Sequence, residues 1–340
     1  MVSERSLAVL RAIVHDYVSS REPVGSKSIV ERHSFGVSAA TIRNDMALLE
    51  EEELIAAPHT SSGRIPTDKG YRVFVDRLGE FRPLSPAQRH AIETFLGEAG
   101  DLDELLARTV RLLAQLTNQL AVVQYPSFGS AKVRHVELVP VGGTRVLCVL
   151  ITDAGHVEQR VVDAEQEVEE ADLADARARL NVAVGGMPLG DAAERLAGID
   201  DPGAPALAKL LRTVAGTFAE QARAQRHDRL VVAGAANLVR TEQDFAGSIL
   251  DVIEAIEEQV VLLKLFGEMA GDPHGVAVSI GRENAPFGLG ETSVVASDFT
   301  APGREISRLG VLGPTRMDYS SNMAAVRAVA RYVTRMLGND

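Results

Sequence analysis

The sequence has no tryptophan, one cysteine and few aromatic residues of any kind, 4% in all. A lone thiol, Cys148, closes no internal disulfide and supplies no cysteine-based zinc cage. Long apolar runs are missing too. Nowhere do about 18 apolar residues follow one another, which excludes a membrane-spanning helix. The opening MVSERSLAVLRAIV lacks a basic leader, a pure apolar core and a small-residue cleavage site, so it does not read as a signal peptide. These absences point to a soluble cytoplasmic protein. Excess positive charge is also lacking. The net charge of −12 argues against a chain that coats nucleic acid nonspecifically.

What is present is ordinary globular material, 46% hydrophobic and 24% charged. Its 340 residues suit two or three domains of ~100–200 residues each. Charge is uneven along the chain. Residues 1–80 hold ten Lys and Arg against twelve Asp and Glu, whereas residues 81–340 hold 25 against 35. The N-terminal part is therefore near neutral, and its acids bunch at Glu50, Glu51, Glu52 and Glu53. A nucleic-acid contact there needs a local basic face.

Helical spacing of Leu7, Leu10, Ile13, Val14, Tyr17 and Val18 predicts a helix over 3–19. The run Arg21-Glu22-Pro23-Val24-Gly25 breaks it. Ser26 is an expected N-cap for a short helix over 27–33, and Ser38 for a third helix over 39–53. Helix, short helix, turn, helix is the outline of a helix-turn-helix. A Thr60-Ser61-Ser62-Gly63 turn within 56–65 predicts a β-hairpin with a polar tip. Thr67 then caps a fourth helix carrying Tyr71, Phe74, Val75 and Leu78. Three helices, a hairpin and a helix in that order make a winged helix.

Beyond a linker at 83–86, a leucine stripe from Leu102 to Leu120 predicts one long helix. The period then switches to two, predicting antiparallel strands over 133–139, 145–152 and 157–162. Residues 165–227 read as helical, 230–233 as a strand and 249–269 as a helix. Strands over 275–280, 292–298 and 305–312 precede a closing helix over 321–337. Strands on both sides of a helical block suggest an α/β (α+β) domain, residues 83–164 and 266–340, interrupted by a mainly helical insert over 165–265.

On the third helix, Ile42, Met46 and Leu49 form the expected core face. Ala40, Asn44 and Ala47 lie opposite, flanked by Thr41 and Arg43. Small residues let a helix approach the floor of the major groove, where Asn pairs with adenine and Arg with guanine. The first residues of such a helix reach the bases, which selects Ser38, Ala40, Thr41, Arg43 and Asn44. Ser26, Lys27, His59, Thr60, Ser61 and Arg64 offer donors suited to phosphate or the adjacent groove. The bland alternatives are a solvated helix and a solvated turn.

These residues carry a family likeness. Residues 58–72, Pro58-His59-Thr60-Ser61-Ser62-Gly63-Arg64-Ile65-Pro66-Thr67-Asp68-Lys69-Gly70-Tyr71-Arg72, resemble the wing and following helix of the heat-inducible transcription repressor HrcA family. Val37 to Met46 is similar to that family's recognition helix, and Pro23-Val24-Gly25-Ser26 to the turn before the second helix. Gly313-Pro314-Thr315-Arg316-Met317-Asp318-Tyr319-Ser320 resembles its C-terminal signature. The insert is only loosely similar, and Gly234-Ala235-Ala236-Asn237-Leu238 has alanine where the family pattern has a hydroxyl residue. The resemblance implies a winged helix on residues 1–82, a GAF-like domain and an inserted dimerisation domain. It implies a homodimer that represses chaperone operons by binding double-stranded DNA at an inverted-repeat operator, CIRCE. It also implies activity supported by a GroEL-type chaperonin and lost on heat stress.

Rival readings are a metabolite sensor using the GAF-like domain, an enzyme and a chaperonin client or adaptor. Cys148 lies in the apolar run Val146-Leu147-Cys148-Val149-Leu150, which suits an inert thiol better than a nucleophile. His135 and His156 lie on neighbouring strands without a third ligand. Gly281 to Asn284 and Phe287 to Gly290 lack the Lys-Ser/Thr of a phosphate loop. No catalytic residue, cofactor or metal is expected.

Overall fold

The computed structural model describes residues 2–59, 62–78, 84–97, 99–126, 132–153, 157–164, 169–197, 213–214, 216, 230–245, 249–269, 275–300 and 306–338. The expected linker at 83–86 is described from 84 onward. His156, named above as a ligand candidate, lies outside these residues, as do Thr60 and Ser61. The chain divides into two compact units, the first built from Met1–Gln124, Leu230–Asp298 and Arg308–Val333. The second takes Tyr125–Arg229, Phe299–Ser307 and Thr334–Asp340. The protein is a mixed α/β chain with antiparallel sheets.

The first unit opens with α1 (Glu4–Ser20), α2 (Ser26–Arg32) and α3 (Ala39–Glu51). Apolar residues at helical spacing explain their association. Leu7, Leu10, Ile13 and Val14 of α1, Ile29 of α2 and Ile42, Met46 and Leu49 of α3 are all buried. The expected cap at Ser26 is corrected. Gly25 is the N-cap, in extended conformation, and its carbonyl accepts the Ile29 N–H at 3.2 Å, so Ser26 is already inside the helix. Strands β1 (Ile55–Ala56) and β2 (Ile65–Pro66) pair antiparallel, with Ile55 opposite Pro66. Thr67 caps α4 (Asp68–Asp76), its hydroxyl accepting from the Gly70 N–H at 3.0 Å.

Two helices follow, α5 (Pro86–Gly97) and α6 (Leu102–Thr117), the latter capped by Asp101. The leucine stripe does not stay helical to Leu120. Asn118 takes a left-handed conformation at φ 53° and ends α6, and Leu120 opens strand β3 (Leu120–Gln124). That strand joins distant segments into one sheet. It pairs antiparallel with β7 (Leu230–Ala233) on one side and β10 (Ser307–Pro314) on the other. With β8 (Val276–Ile280) and β9 (Thr292–Phe299) the order is β7-β3-β10-β9-β8.

Helices α9 (Ala235–Arg240), α10 (Ile249–Glu257) and α11 (Val260–Glu268) follow β7, and α12 (Tyr319–Gly338) closes the chain. The single helix expected over 249–269 is two, broken where Gln259 turns to φ 44°. Leu120, Val122, Leu238, Val252, Leu262, Leu265, Phe266, Val294 and Leu312 share one buried cluster.

The second unit holds β4 (Val133–Gly142), β5 (Arg145–Thr152) and β6 (Val157–Asp163), paired antiparallel in that order. Helices α7 (Glu170–Val184) and α8 (Leu189–Ala197) follow. Val136, Leu138, Val146, Cys148, Leu150, Leu173, Leu180 and Leu196 form one core. The Asn181 side chain caps the β4 edge at Val136, accepting from its N–H at 2.9 Å and donating to its carbonyl at 2.7 Å. Burial pushes the Cys148 thiol up to about 12, which keeps it an unreactive thiol. The sheet thus shares its core with α7 and α8, across the expected break at 164/165, while α10 and α11 join the core of the first unit. Alternation along a strand reveals that one face is buried, but not which elements cover it. Among the described residues no helix is long and apolar enough to cross a membrane.

Candidate nucleic-acid interface

Helix α3 begins where the sequence caps it. The Ser38 hydroxyl accepts from the Thr41 N–H at 3.2 Å and lies 3.0 Å from the Thr41 hydroxyl. Such a cap stabilises a helix by ~1 kcal/mol. The helix has two distinct faces. Ile42, Asp45, Met46 and Leu49 are buried, while Ala40, Arg43, Asn44 and Ala47 are exposed on the other side. Thr41 is half-buried between them. Among the described residues the Arg43 and Asn44 side chains make no hydrogen bond or ion pair, and neither does exposed Lys27 on α2. Ser26 is half-buried.

Sequence reasoning did not pick out Asp45. It is buried in the middle of α3 and held from α1, where Arg5 donates to it at 2.7 and 3.3 Å and the Ser6 hydroxyl at 2.9 Å. The Arg5 hydrogen bond keeps the Asp45 carboxyl below the usual carboxylate range. These contacts fix the rotation of α3 against α1, and so fix which residues it presents outward. An acid one residue from Asn44, on a helix with apolar spacing, was the available signal.

The loop before β2 is fastened close to the start of α2. Arg64 and Val24 exchange both backbone hydrogen bonds at 2.9 Å. Glycine is needed there, because a Cβ on Gly63 would sit 2.6 Å from the backbone of Pro23 and Val24. Gly70 is held just as tightly, since a Cβ would meet the Leu54 carbonyl oxygen at 1.9 Å. The two glycines of the 58–72 motif thus serve close backbone approach. His59 is exposed, and its N–H donates to the Ser62 hydroxyl at 3.0 Å.

Arg64 is not the free donor expected from sequence. Its guanidinium donates to Glu50 at 3.0 Å and to the Ser62 carbonyl at 3.1 Å, so it braces the loop against α3. Val24, Gly25, Ser26, Arg43, Ala47, Glu50, Gly63 and Arg64 line an open groove of about 410 Å³. The structure therefore brings Ser26, Arg43 and Arg64 to one concavity.

The C-terminal motif ties these helices to the rest of the first unit. Arg316 clasps half-buried Asp244 at 2.8 and 2.6 Å and donates to the Val18 carbonyl at the end of α1 at 2.6 Å. The Tyr319 ring lies 5.5 Å from that of Tyr71 on α4, and both are buried. The Tyr319 hydroxyl lies 2.8 Å from that of Ser293 and donates to the Thr315 carbonyl at 2.7 Å. Burial pushes both phenols up, so both are neutral at physiological pH. Arg72 adds an ion pair to Glu283 and a bond to the Val278 carbonyl at 2.8 Å. The divergent segment near Gly234 keeps a structural role, as Asn237 donates to the Gln119 carbonyl at 3.0 Å.

Comparison with known proteins bears on the whole length. Residues 103–323 match the family model described as HrcA protein C terminal domain. The heat-inducible transcription repressor HrcA of Clavibacter michiganensis subsp. michiganensis is 68% identical over 337 residues, 99% of each chain. That of Leifsonia xyli subsp. xyli is 66% identical over 339 residues, the full length of both. A crystal structure of a hypothetical protein aligns over 99% of both chains at 25% identity, with a TM-score of 0.63. On these similarities, the chain belongs to the HrcA family of heat-inducible transcription repressors.

Proposed function

We propose that residues 1–82 form a winged helix that reads an inverted-repeat operator of the CIRCE type in double-stranded DNA, with α3 as the recognition helix. The observation that carries this reading is the outer face of α3. Small Ala40 and Ala47 flank Arg43 and Asn44, which have no partner among the described residues, on a helix whose rotation is fixed from behind by Asp45. Ala40, Arg43 and Asn44 meet base edges, with Ser38 and Thr41 at the rim. Ser26, Lys27, His59, Thr60 and Ser61 contact phosphate or the adjacent groove, and Arg64 positions the wing through Glu50.

An inverted repeat calls for a two-fold dimer. The sheet of the second unit supports one. Its face away from the core carries Val139, Val157 and Val161, which are 40%, 47% and 53% exposed. The register aligns Val139 with Leu147 and Val161, and Ile151 with Val157, in apolar rows. We therefore start the inserted dimerisation domain ahead of β4 and assign the five-stranded sheet to the GAF-like domain. A repressor of this kind responds to heat through stability, since losing ~1–2 kcal/mol shifts an active fraction several-fold. A GroEL-type chaperonin restores the active dimer in this reading.

A second reading, an effector-sensing regulator, rests on a concavity of about 350 Å³ lined by Arg111, Asn118, Asn237 and Arg240 with no acid among its lining residues. A thermal-shift screen against anionic metabolites separates the two. The decisive experiment titrates the protein against a CIRCE-type repeat and a scrambled duplex at fixed salt, with and without chaperonin. Tight binding to the repeat alone, strengthened by chaperonin, supports the first reading. Equal weak binding to both duplexes overturns it.

A further inference from the structure

We propose that His15, Asp16 and His33 form a divalent transition-metal site that fastens α1 to the turn leading into α3. His15 and Asp16 lie in α1, and His33 directly follows α2. The three ligand atoms lie within 4.8 Å of one another. His33 Nε2 is 3.0 Å from Asp16 Oδ1, and His15 Nδ1 is 3.4 Å from the same oxygen. Metal–ligand bonds of about 2.0–2.2 Å in a tetrahedron put ligand atoms roughly 3.3–3.6 Å apart, so little movement closes the set. Two imidazoles and one carboxylate suit zinc and its first-row neighbours.

A second observation concerns the other oxygen of Asp16. The Asp16 side chain is 6% exposed, yet its Oδ2 is buried with no hydrogen bond among the described residues. A buried carboxylate oxygen without a hydrogen bond is costly, and a metal held by both Asp16 oxygens offsets that cost. The Arg32 Nη1 is 3.5 Å from Oδ2, within salt-bridge distance but without a hydrogen bond. Arg32 is 58% exposed on a long stem and swings into water when a metal enters. The His15 side chain is 76% exposed, which leaves a coordination position open to solvent water. The His33 N–H already closes α2 on the Ile29 carbonyl at 2.9 Å, so a metal on its ring would restrain the residues 34–37 that lead to the Ser38 cap.

The test uses full-length, chelator-stripped protein and zinc, read by competition with a chromogenic chelator. Cobalt(II) supplies a second readout through its visible d–d absorption. We expect one tight equivalent per chain, weakened more than about tenfold by His15→Ala and by His33→Ala alike. His90→Ala, an exposed histidine on α5, leaves it unchanged. Circular dichroism checks that each variant is folded, and Asp16 itself is left intact. Absence of a tight equivalent, or one indifferent to both substitutions, overturns the proposal and leaves the trio as a hydrogen-bonded cluster around Asp16. No DNA is present, so failure here is distinct from failure of the operator reading.

Discussion

The first four helices show two contrasting surfaces. The inward one is crowded and paired. Tyr71 meets Tyr319, Arg72 meets Glu283, and Arg316 links the end of α1 to Asp244. The outward one, Ala40, Arg43, Asn44 and Lys27, is exposed, and its side chains have no partners among the described residues. The inward surface therefore sets stability and, in the proposed reading, the temperature at which the repressor fails. In that reading the outward surface sets what is bound. Substitutions on one side should leave the readout of the other untouched.

The largest effect belongs to Tyr319, among the largest fully buried side chains. Tyr319→Ala should cost ~3–5 kcal/mol of stability in thermal or urea unfolding. Tyr319→Phe keeps the ring and loses only the bonds to Ser293 and Thr315, for about 1–3 kcal/mol. Where folded, both variants should keep the wild-type preference for operator over scrambled duplex. Next comes Arg316→Ala, which leaves the 6%-exposed Asp244 side chain with Arg21 at 3.2 Å as its remaining ion-pair partner. A loss of about 3 kcal/mol is expected, measured the same way.

Asp45 lies between the two surfaces and carries a pH signature. Its carboxyl is held below its unfolded value of about 3.9 by Arg5. Its contribution is thus fully present above that value and is lost as pH falls through the lower folded value. Asp45→Asn should cost ~1.5–3 kcal/mol near neutrality and flatten the acid limb of the stability profile. A limb as steep as in the wild type would assign acid sensitivity to other carboxylates.

The two surfaces also differ in how much of them the sequence reveals. The outward face of α3 follows from local spacing, since Ile42, Met46 and Leu49 mark the core side and Ser38 the start. The inward surface does not. The Tyr71–Tyr319 and Arg316–Asp244 contacts join residues far apart in the chain, which no period encodes. The same limit explains strand β3. Leu112, Leu113, Leu116 and Leu120 keep a helical rhythm in sequence, but Asn118 reverses the backbone and pairing with β7 and β10 decides the strand. Arg64 looked like a free donor because Glu50, its brace, is on another element.

On the outward side, Arg43→Ala should cost ~1–3 kcal/mol of operator affinity and relax specificity at one base pair. Unfolding should stay within about 0.5 kcal/mol of wild type, because the side chain is exposed and has no partner among the described residues. Lys27→Ala should have the smallest effect, and of a different kind. Lys27 is an exposed point charge at the start of α2 that carries no base information in this reading. Its loss should weaken operator and scrambled duplex by the same factor and lower the slope of log affinity against log salt by about one unit. The salt series distinguishes the two roles, since Arg43→Ala should change the ratio between the duplexes and Lys27→Ala should not. If both variants lost affinity equally on all DNA, the outward surface would be a phosphate-binding face without a reading helix. The sequence preference would then have to come from the wing or from DNA shape.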